Sequence, residues 1–229
     1  MIKWGLIMGT YKEELIIALP KGRLGQEALE IFSKAGYPAE NVDTESRKLI
    51  YEFPLKKIKY LMCRPTDIPT YVEYGAADIG IVGKDTLEES EVDVFELVDL
   101  GFGYCRFVIA APQGMVEDVE NFDLAFFNNK RVATKFPQIT KKYFREKGIH
   151  VEVLKLHGNI EIAPSVGLAD FIVDIVSTGK TLKENNLIAV EEMFEATARL
   201  IANRVSYRIK NAVIQDLAAK CYEHISKRS

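Results

Sequence analysis

The chain has 229 residues, of which 48% are hydrophobic and 28% charged, and its formal net charge is −3. This balance is typical of a globular protein long enough for two modest α/β domains, and it does not indicate a broad nucleic-acid surface. Three cysteines without a CxxC pair argue against disulfides or a zinc site, and no run of about 18 apolar residues predicts a membrane span. No signal-peptide pattern is evident, so a cytoplasmic protein is expected.

The amino-terminal part predicts a strand, a loop and a helix. Residues 15–19 are apolar, residues 24–35 carry apolar side chains at helical spacing, and Gly36 is suited to end that helix. The loop between them contains Lys21 and Arg23. Open α/β sheets bind ligands at the carboxyl ends of their strands, so these cations are candidates for an anion site, although each is also explained as a solvated surface residue.

The following segments continue the α/β pattern. Two strands, a helix capped by Asp67 and a buried strand are expected at residues 48–53, 58–62, 67–74 and 78–82. Arg64 follows the second of these strands, at the same sheet edge as Arg23 if the sheet is parallel. Further extended apolar runs flank Gly101 and Gly103, where the chain is expected to cross into a second domain.

The second domain has its own pattern. Its expected strands lie at residues 131–134, 151–156 and 171–176, and its expected helices at residues 137–147 and 161–168. After residues 187–190 the chain is expected to return and become mostly helical, with an apolar face of Leu200, Ile201, Val205, Ile209, Val213 and Leu217. The prediction is two α/β domains, residues 1–101 with 188–229 and residues 102–187, with a ligand cleft between them.

The most informative stretch is FIVDIVSTGKTL, residues 171–182. An apolar strand interrupted only by Asp174 leads into a small polar loop at residues 177–181 and then a helix. A phosphate could accept hydrogen bonds from the N–H groups at the helix start, from the hydroxyls and from the lysine of this loop. Gly179 permits the backbone to approach that phosphate closely. A P-loop needs glycine at position 174, where a carboxylate instead suits sugar hydroxyls, so a phosphoribosyl group is indicated. A simple hydroxyl N-cap explains the segment equally well when it is taken singly.

Several segments together resemble the ATP phosphoribosyltransferases that open histidine biosynthesis. They are LPKGRL (19–24), RPTDIPTYVEYGAADIGIVGKD (64–85), NIEIAP (159–164), GLADFIVDIVSTGKTL (167–182) and ARLIANRVSY (198–207), in the family's order. Residues before Tyr11 fall outside the resemblance. It implies an α/β fold of the type II periplasmic-binding-protein-like kind, with two lobes, the second inserted in the first. It also implies an enzyme that transfers the phosphoribosyl group of phosphoribosyl pyrophosphate to an adenine ring nitrogen of ATP and releases pyrophosphate.

The resemblance also implies roles for individual residues. Asp174 and Glu161 match acidic residues at the ribose hydroxyls and, with Arg64, are the catalytic candidates. The 5′-phosphate loop is matched by Ser177, Thr178, Gly179, Lys180 and Thr181. The basic residues near ATP and pyrophosphate are matched by Lys21, Arg23 and Arg64. Mg²⁺ is implied as a cofactor held mainly by substrate phosphates, with no protein metal site, and no general base is evident.

The length of the chain resembles the short form of this family, which works with a separate regulatory subunit similar to histidyl-tRNA synthetase. We therefore expect a homodimer or larger assembly with such a partner, and no nucleic acid or membrane. Two alternatives stay open, namely a phosphoribosyltransferase for another base and a two-lobed anion-binding protein without catalysis. The absence of an export signal argues against the second alternative.

Overall fold

A computed structural model describes residues 14–176 and 178–226. Its strands are β1 (Leu15–Pro20), β2 (Ile50–Phe53), β3 (Ile58–Cys63), β4 (Ile79–Gly83), β5 (Phe95–Asp99), β6 (Cys105–Pro112), β7 (Lys130–Thr134), β8 (Val151–Lys155), β9 (Phe171–Val176), β10 (Leu187–Ala196) and β11 (Ala198–Ala202). Its helices are α1 (Arg23–Lys34), α2 (Ile68–Glu73), α3 (Lys84–Ser90), α4 (Pro137–Glu146), α5 (Lys180–Glu184), α6 (Arg204–Ile209) and α7 (Asn211–Ser226). None of the helices in the described ranges is long and apolar enough to cross a membrane.

The chain divides into two compact units, and the first runs to Gly103 and resumes at Thr197. Its sheet has the order β2-β3-β1-β4-β11-β5. Strands β1, β3 and β4 are parallel, so their carboxyl ends lie at one edge of the sheet. Helices α1 and α7 pack on one face with Phe32 and Leu217, and α2 packs on the other with Ile68 and Val72. Alternating residues of β1 supply both cores.

The second unit spans Tyr104–Ala196, and its sheet has the order β10-β6-β9-β7-β8. Strands β7, β8 and β9 are parallel, whereas β6 is antiparallel to β9 and β10 is antiparallel to β6. Helix α4 covers one face over a core rich in phenylalanine. The other face is covered by α5 and a 3₁₀ turn at Ile160–Ile162. This second face carries Asp174.

The region after residue 190 differs from the sequence prediction of a mostly helical segment. Strand β10 extends to Ala196 by pairing with β6, and β11 is inserted between β4 and β5. The prediction was wrong because strand structure in such mixed sequences depends on hydrogen-bonding partners far along the chain. The structure therefore keeps β10 in the second unit, and the return lies at Thr197 rather than at residue 188.

The expected apolar face of the carboxyl-terminal helices was correct at Leu217 and wrong at its other positions. Leu200 and Ile201 belong to β11, where both are buried. Val205, Ile209 and Val213 are exposed, with 62%, 58% and 39% of their surface accessible. Helix α7 buries a stripe formed by Ile214, Leu217 and Cys221, at spacings of three and four residues, which shares Leu217 with the predicted face.

Two local predictions were wrong for reasons visible in the backbone. Residues 161–168 form a 3₁₀ turn and further turns instead of a helix, because Pro164 has no N–H to donate and Gly167 adopts φ +72°. Asp67 does precede α2 at the N-cap position, but its side chain makes no capping hydrogen bond, so the predicted cap was wrong in its chemistry. Its φ and ψ of −95° and −20° are near-helical, since it ends the 3₁₀ turn Pro65–Asp67, whereas a capping residue is usually extended.

Candidate active site

Asp174 lies on β9 between Ile172 and Val176, which face the same core because side chains alternate along a strand. It is paired in register with Val108 of β6. Only 7% of its surface is exposed, and its Oδ1 has no hydrogen-bond partner within the described residues. Such an oxygen is costly for stability, and it is available to a ligand hydroxyl.

Burial raises the pKa of Asp174 from its ordinary 3.8 to about 6. Two neighbours act against this shift, because the backbone N–H of Ile175 donates to the carboxylate and the positive charge of Lys135 favours the ionised form. The negative charge of Glu161 raises the pKa further. The carboxyl group is therefore mainly ionised above about pH 6.

Glu161 reaches this site from the 3₁₀ turn Ile160–Ile162 rather than from the predicted helix. Ile160 and Ala163, on either side of this turn, are buried in the same core as Ile172, and they anchor the turn over the sheet face that carries Asp174. Glu161 itself is half-buried. The two acidic residues expected at the ribose hydroxyls are thus within electrostatic range of each other.

The loop after β9 is open where a phosphate is expected. Gly179 has φ 73° and ψ 1°, a left-handed conformation that strains other residues. Among the described residues, a Cβ atom placed there would come near Val176 alone, whose Cγ1 lies at 3.9 Å. Thr178 Oγ1 accepts a long hydrogen bond of 3.5 Å from the backbone N–H of Lys180.

Helix α5 begins at Lys180 directly after this loop, and its N-cap residue Gly179 has no side chain to cap it, so the N–H groups that follow Lys180 in the first turn remain available as donors. The ammonium group of Lys180 is 3.8 Å from Glu184, and both side chains are mostly exposed. Thr181 is also exposed. Ser177, the first residue predicted for this loop, lies outside the described residues.

The predicted basic residues Lys21 and Arg64 follow neighbouring parallel strands of the first unit. Pro20 of β1 is paired with Cys63 of β3, and the backbone N–H of Lys21 donates to the Cys63 carbonyl at 3.2 Å. Lys21 and Arg64 therefore each directly follow one member of this register pair, at the carboxyl edge of the sheet. The Lys21 ammonium donates to the Ser46 carbonyl at 2.9 Å, which fixes its direction.

Arg64 and Arg23 differ in their partners. Arg64 is exposed and makes no ion pair or side-chain hydrogen bond with the residues that the structure describes. Arg23 is the first residue of α1, and its guanidinium lies 3.5 Å from the Glu27 carboxylate one turn later. Of the three predicted cations, Arg64 is the one most available to an anionic ligand.

Lys135 was not among the site residues predicted from the sequence. This exposed residue directly follows β7, whose last residue Thr134 is paired with Val173 of β9. Lys135 and Asp174 are therefore the next positions on neighbouring parallel strands. A cation immediately after a buried strand was the available signal, but only the strand order β9-β7-β8 shows which carboxylate it neighbours.

A cavity of about 620 Å³ in the second unit lies beside the loop rather than at Asp174. It is lined by Gly179 and Lys183, by Val176, and on β6 and β10 by Arg106 and Glu192, which form an ion pair of 2.9 Å. On the wall of this cavity, the charges of Arg106 and Glu192 are therefore already paired with each other. Over residues 14–176 and 178–226, no group of three His, Cys, Asp or Glu side chains is arranged to hold a metal ion.

Comparison with known proteins gives consistent results along most of the chain. The family model described as "HisG: ATP phosphoribosyltransferase" matches residues 64–223. The ATP phosphoribosyltransferase of Moorella thermoacetica is 63% identical over 196 residues, which are 85% of this chain and 86% of that protein.

Solved structures agree with this result. An ATP phosphoribosyl transferase (HisG:HisZ) complex from Thermotoga maritima contains a chain 38% identical, with a TM-score of 0.76, covering 93% of this chain and 99% of that chain. A periplasmic sulfonate-binding protein, SsuA, from Methylobacillus flagellatus KT is only 12% identical, with a TM-score of 0.60 over 91% of this chain and 67% of that chain. The latter likeness concerns the fold alone, and it confirms the predicted periplasmic-binding-protein-like class.

Proposed function

Because this chain belongs to the ATP phosphoribosyltransferase family, we propose that it transfers the phosphoribosyl group of phosphoribosyl pyrophosphate to an adenine ring nitrogen of ATP. The products are phosphoribosyl-ATP and pyrophosphate, and the reaction is the first step of histidine biosynthesis. The observation that carries this proposal is the buried Asp174, whose Oδ1 has no partner among the described residues and which precedes an open glycine loop at the start of a helix. A carboxylate followed by a phosphate-binding loop matches the two polar ends of a ribose 5-phosphate.

In this proposal the second unit binds the phosphoribosyl group. Asp174 and Glu161 accept hydrogen bonds from the ribose hydroxyls, and the loop Ser177, Thr178, Gly179, Lys180 and Thr181 donates to the 5′-phosphate. When pyrophosphate leaves the anomeric carbon, positive charge of the oxocarbenium type develops on the ribose. Two carboxylates held near the ring stabilise that charge before it forms, so the site needs little reorganisation during the reaction.

The first unit supplies cations for polyphosphate in the same proposal. Lys21, Arg23 and Arg64 are the candidates for contacts with ATP and pyrophosphate, and Arg64 is the strongest because it has no competing partner in the described part of the chain. Replacement of Arg64 by Ala should weaken ATP binding or slow turnover while the affinity for phosphoribosyl pyrophosphate stays similar. Arg64→Lys separates charge from geometry, since an ammonium does not replace a planar bidentate donor.

Mg²⁺ enters this reaction with the substrates, held mainly by their phosphate oxygens, and its role is to neutralise charge on the departing pyrophosphate. The adenine ring is a neutral nucleophile, so the contribution of the chain is chiefly to position it next to the anomeric carbon. We place the enzyme in the cytoplasm. None of the cysteines Cys63, Cys105 and Cys221 forms a disulfide within the described residues, as is usual in a reducing compartment.

The deciding experiment measures pyrophosphate release by the purified chain with Mg²⁺, omitting each substrate in turn. Release that requires both ATP and phosphoribosyl pyrophosphate supports the proposal, and ultraviolet difference spectra identify the modified adenine. A panel of other bases tests the alternative acceptor. Tight binding of phosphoribosyl pyrophosphate without pyrophosphate release under any condition would instead favour an anion-binding protein.

The related Thermotoga maritima structure is a complex of HisG with HisZ, and we propose that this chain also works with a separate regulatory subunit. The expected partner resembles histidyl-tRNA synthetase, and the catalytic chain is expected to form a dimer or larger assembly. We propose that feedback by histidine acts through this second subunit, which would hold the effector site distinct from the catalytic one. Histidine up to millimolar concentration should leave the isolated chain uninhibited and should inhibit the reconstituted complex. Strong inhibition of the isolated chain would contradict this assignment.

A further inference from the structure

The buried carboxyl group of Asp174 is surrounded by few charges within the described residues. Strand β7 contributes Lys135 and the 3₁₀ turn contributes Glu161, and both act on Asp174. On the β6 side, Arg106 lies two residues before Val108, but its guanidinium is engaged by Glu192 of β10. From α5, Lys180 is directed to Glu184, and Lys183 lines the neighbouring cavity. Lys135 is thus the cation that acts on Asp174.

The position of Lys135 is set by a buried turn. Thr134, which is fully buried at the end of β7, accepts a hydrogen bond of 2.9 Å at its Oγ1 from the backbone N–H of Phe136. The hydroxyl of Thr140 in α4 donates to the Phe136 carbonyl at 2.8 Å. These bonds close the backbone around Lys135 and place it one position beyond the Thr134–Val173 register pair, next to Asp174.

Lys135 has no competing acceptor in the part of the chain that the structure describes, as no hydrogen bond or ion pair links it to another side chain there. Its own side chain is exposed, so placing a charge there needs no desolvation, while the carboxyl group that it acts on is buried. Water partly screens the exposed Lys135 charge, but the carboxyl group that it acts on is buried, where electrostatic interactions are screened less than between two surface groups.

We propose that Lys135 is a positioning residue of the candidate active site, the cation that favours the ionised form of the Asp174 carboxylate, which is the form that accepts hydrogen bonds from ribose hydroxyls. This inference rests on the proposed phosphoribosyl pyrophosphate site. A protonated Asp174 would present a donor where the ligand also presents donors. Glu161 opposes Lys135, so the ionisation of Asp174 is set by the balance between one cation and one anion at the same face of the sheet.

The direct test is a carboxyl-carbon NMR titration of Asp174, assigned by comparison with Asp174→Asn. Lys135→Met should raise the titration midpoint of Asp174 by about half a pH unit to one pH unit, as expected for loss of one nearby charge. Lys135→Arg should leave it unchanged, and Glu161→Gln should lower it. The matched control is Lys141→Met, because Lys141 is an exposed lysine of α4, which covers the opposite face of the sheet. An unchanged midpoint in Lys135→Met, or an equal rise in Lys141→Met, would overturn the inference.

Calorimetry of phosphoribosyl pyrophosphate binding tests the functional consequence of this inference. With a midpoint near 6 raised by half to one unit, Lys135→Met should weaken binding about two- to fivefold at pH 6 and hardly at all at pH 8. Equal weakening at both pH values would mean that Lys135 contacts the ligand directly, which contradicts the proposed role. If wild type binds no phosphoribosyl pyrophosphate at all, the proposed function fails, and the NMR titration still decides whether Lys135 controls Asp174.

Discussion

The carboxyl group of Asp174 lies on a strand whose other residues facing the same core are apolar. Its pKa of about 6 in the folded chain is above the ordinary value of 3.8, so the native state holds a proton between these pH values that the unfolded chain releases. The contribution of this group to stability is therefore favourable at low pH and is lost as pH rises through about 6. At neutral pH the buried charge therefore lowers the stability of the fold. Ionisable groups with shifted pKa values are often found at functional sites.

Replacement of Asp174 by Asn tests both the effect of this carboxyl group on stability and its role in turnover. The variant should be more stable than wild type at pH 8, by about 1–3 kcal/mol, because it carries no buried charge, and this difference should vanish near pH 4. Turnover should fall about a hundredfold to a thousandfold, since a preorganised charge is lost. Urea denaturation at the two pH values and steady-state kinetics are the measurements. A folded variant with wild-type turnover would refute the catalytic assignment of Asp174.

A second prediction at the residue scale concerns Gly179. Gly179→Val introduces a β-branched side chain at φ 73°, in a loop where backbone must approach phosphate. We expect weaker binding of phosphoribosyl pyrophosphate with little change in ATP binding. The matched control is Gly148→Val, since Gly148 has φ +71°, follows α4 and also has open space around it.

Both valine variants carry the same backbone strain, so they should lose similar stability in thermal denaturation. Calorimetry should show the loss of phosphoribosyl pyrophosphate affinity in Gly179→Val alone. Equal losses in the two variants would mean that strain rather than phosphate contact explains the result.

Among the elements, the junction between α6 and α7 is tied to the sheet by a buried carboxylate. Asp78, at the start of β4, accepts hydrogen bonds from the backbone N–H of Ile16 at 2.8 Å and from the Ser206 hydroxyl at 2.6 Å. The ammonium of Lys210, between the two helices, lies 2.6 Å from its Oδ2. With both side chains almost inaccessible, this ion pair links the carboxyl-terminal helices to β1 and β4.

Replacement of Lys210 by Met should cost about 3–5 kcal/mol of unfolding free energy, because the buried carboxylate of Asp78 loses its counter-charge. The control is Lys220→Met, which removes an exposed pair with Asp216 one turn away on α7 and should cost less than about 1 kcal/mol. Chemical denaturation of both variants measures the difference. Similar small losses in both would show that the Asp78–Lys210 pair contributes little to stability.

At the scale of the whole molecule, the second unit begins and ends on paired strands. Cys105 and Ala196 are register partners in β6 and β10, so the two ends of this unit lie side by side. The unit also has cores on both faces of its sheet. These features are those of an inserted domain that does not need the rest of the chain to close its own structure.

We therefore predict that a fragment of residues 104–196 folds cooperatively. Because every predicted phosphoribosyl-binding residue lies within it, the fragment should retain measurable binding of phosphoribosyl pyrophosphate, and it should lose ATP binding that depends on Lys21 and Arg64. Circular dichroism melting and calorimetry check the two parts. The same fragment with Gly179→Val is the binding control, and a fragment without a cooperative transition would contradict the prediction.

The sequence by itself determined the features that are local. Apolar runs predicted β1, β4 and β9, helical spacing predicted α1 and α4, and the change from FIVDIV to a polar glycine loop predicted where β9 ends before the next helix. Each of these depends on neighbours within about one element's length, where side-chain periodicity and backbone freedom of glycine act directly.

Tertiary structure decided what depends on distant partners. Residues 187–196 and 198–202 are strands because β6, β4 and β5 supply their hydrogen bonds, and the mixed polarity of these segments does not reveal that choice. The burial of Asp174 and the placement of Lys135 beside it follow from the order and register of β6, β9 and β7. Register joins positions that are remote along the chain, and a single sequence contains no local signal for it.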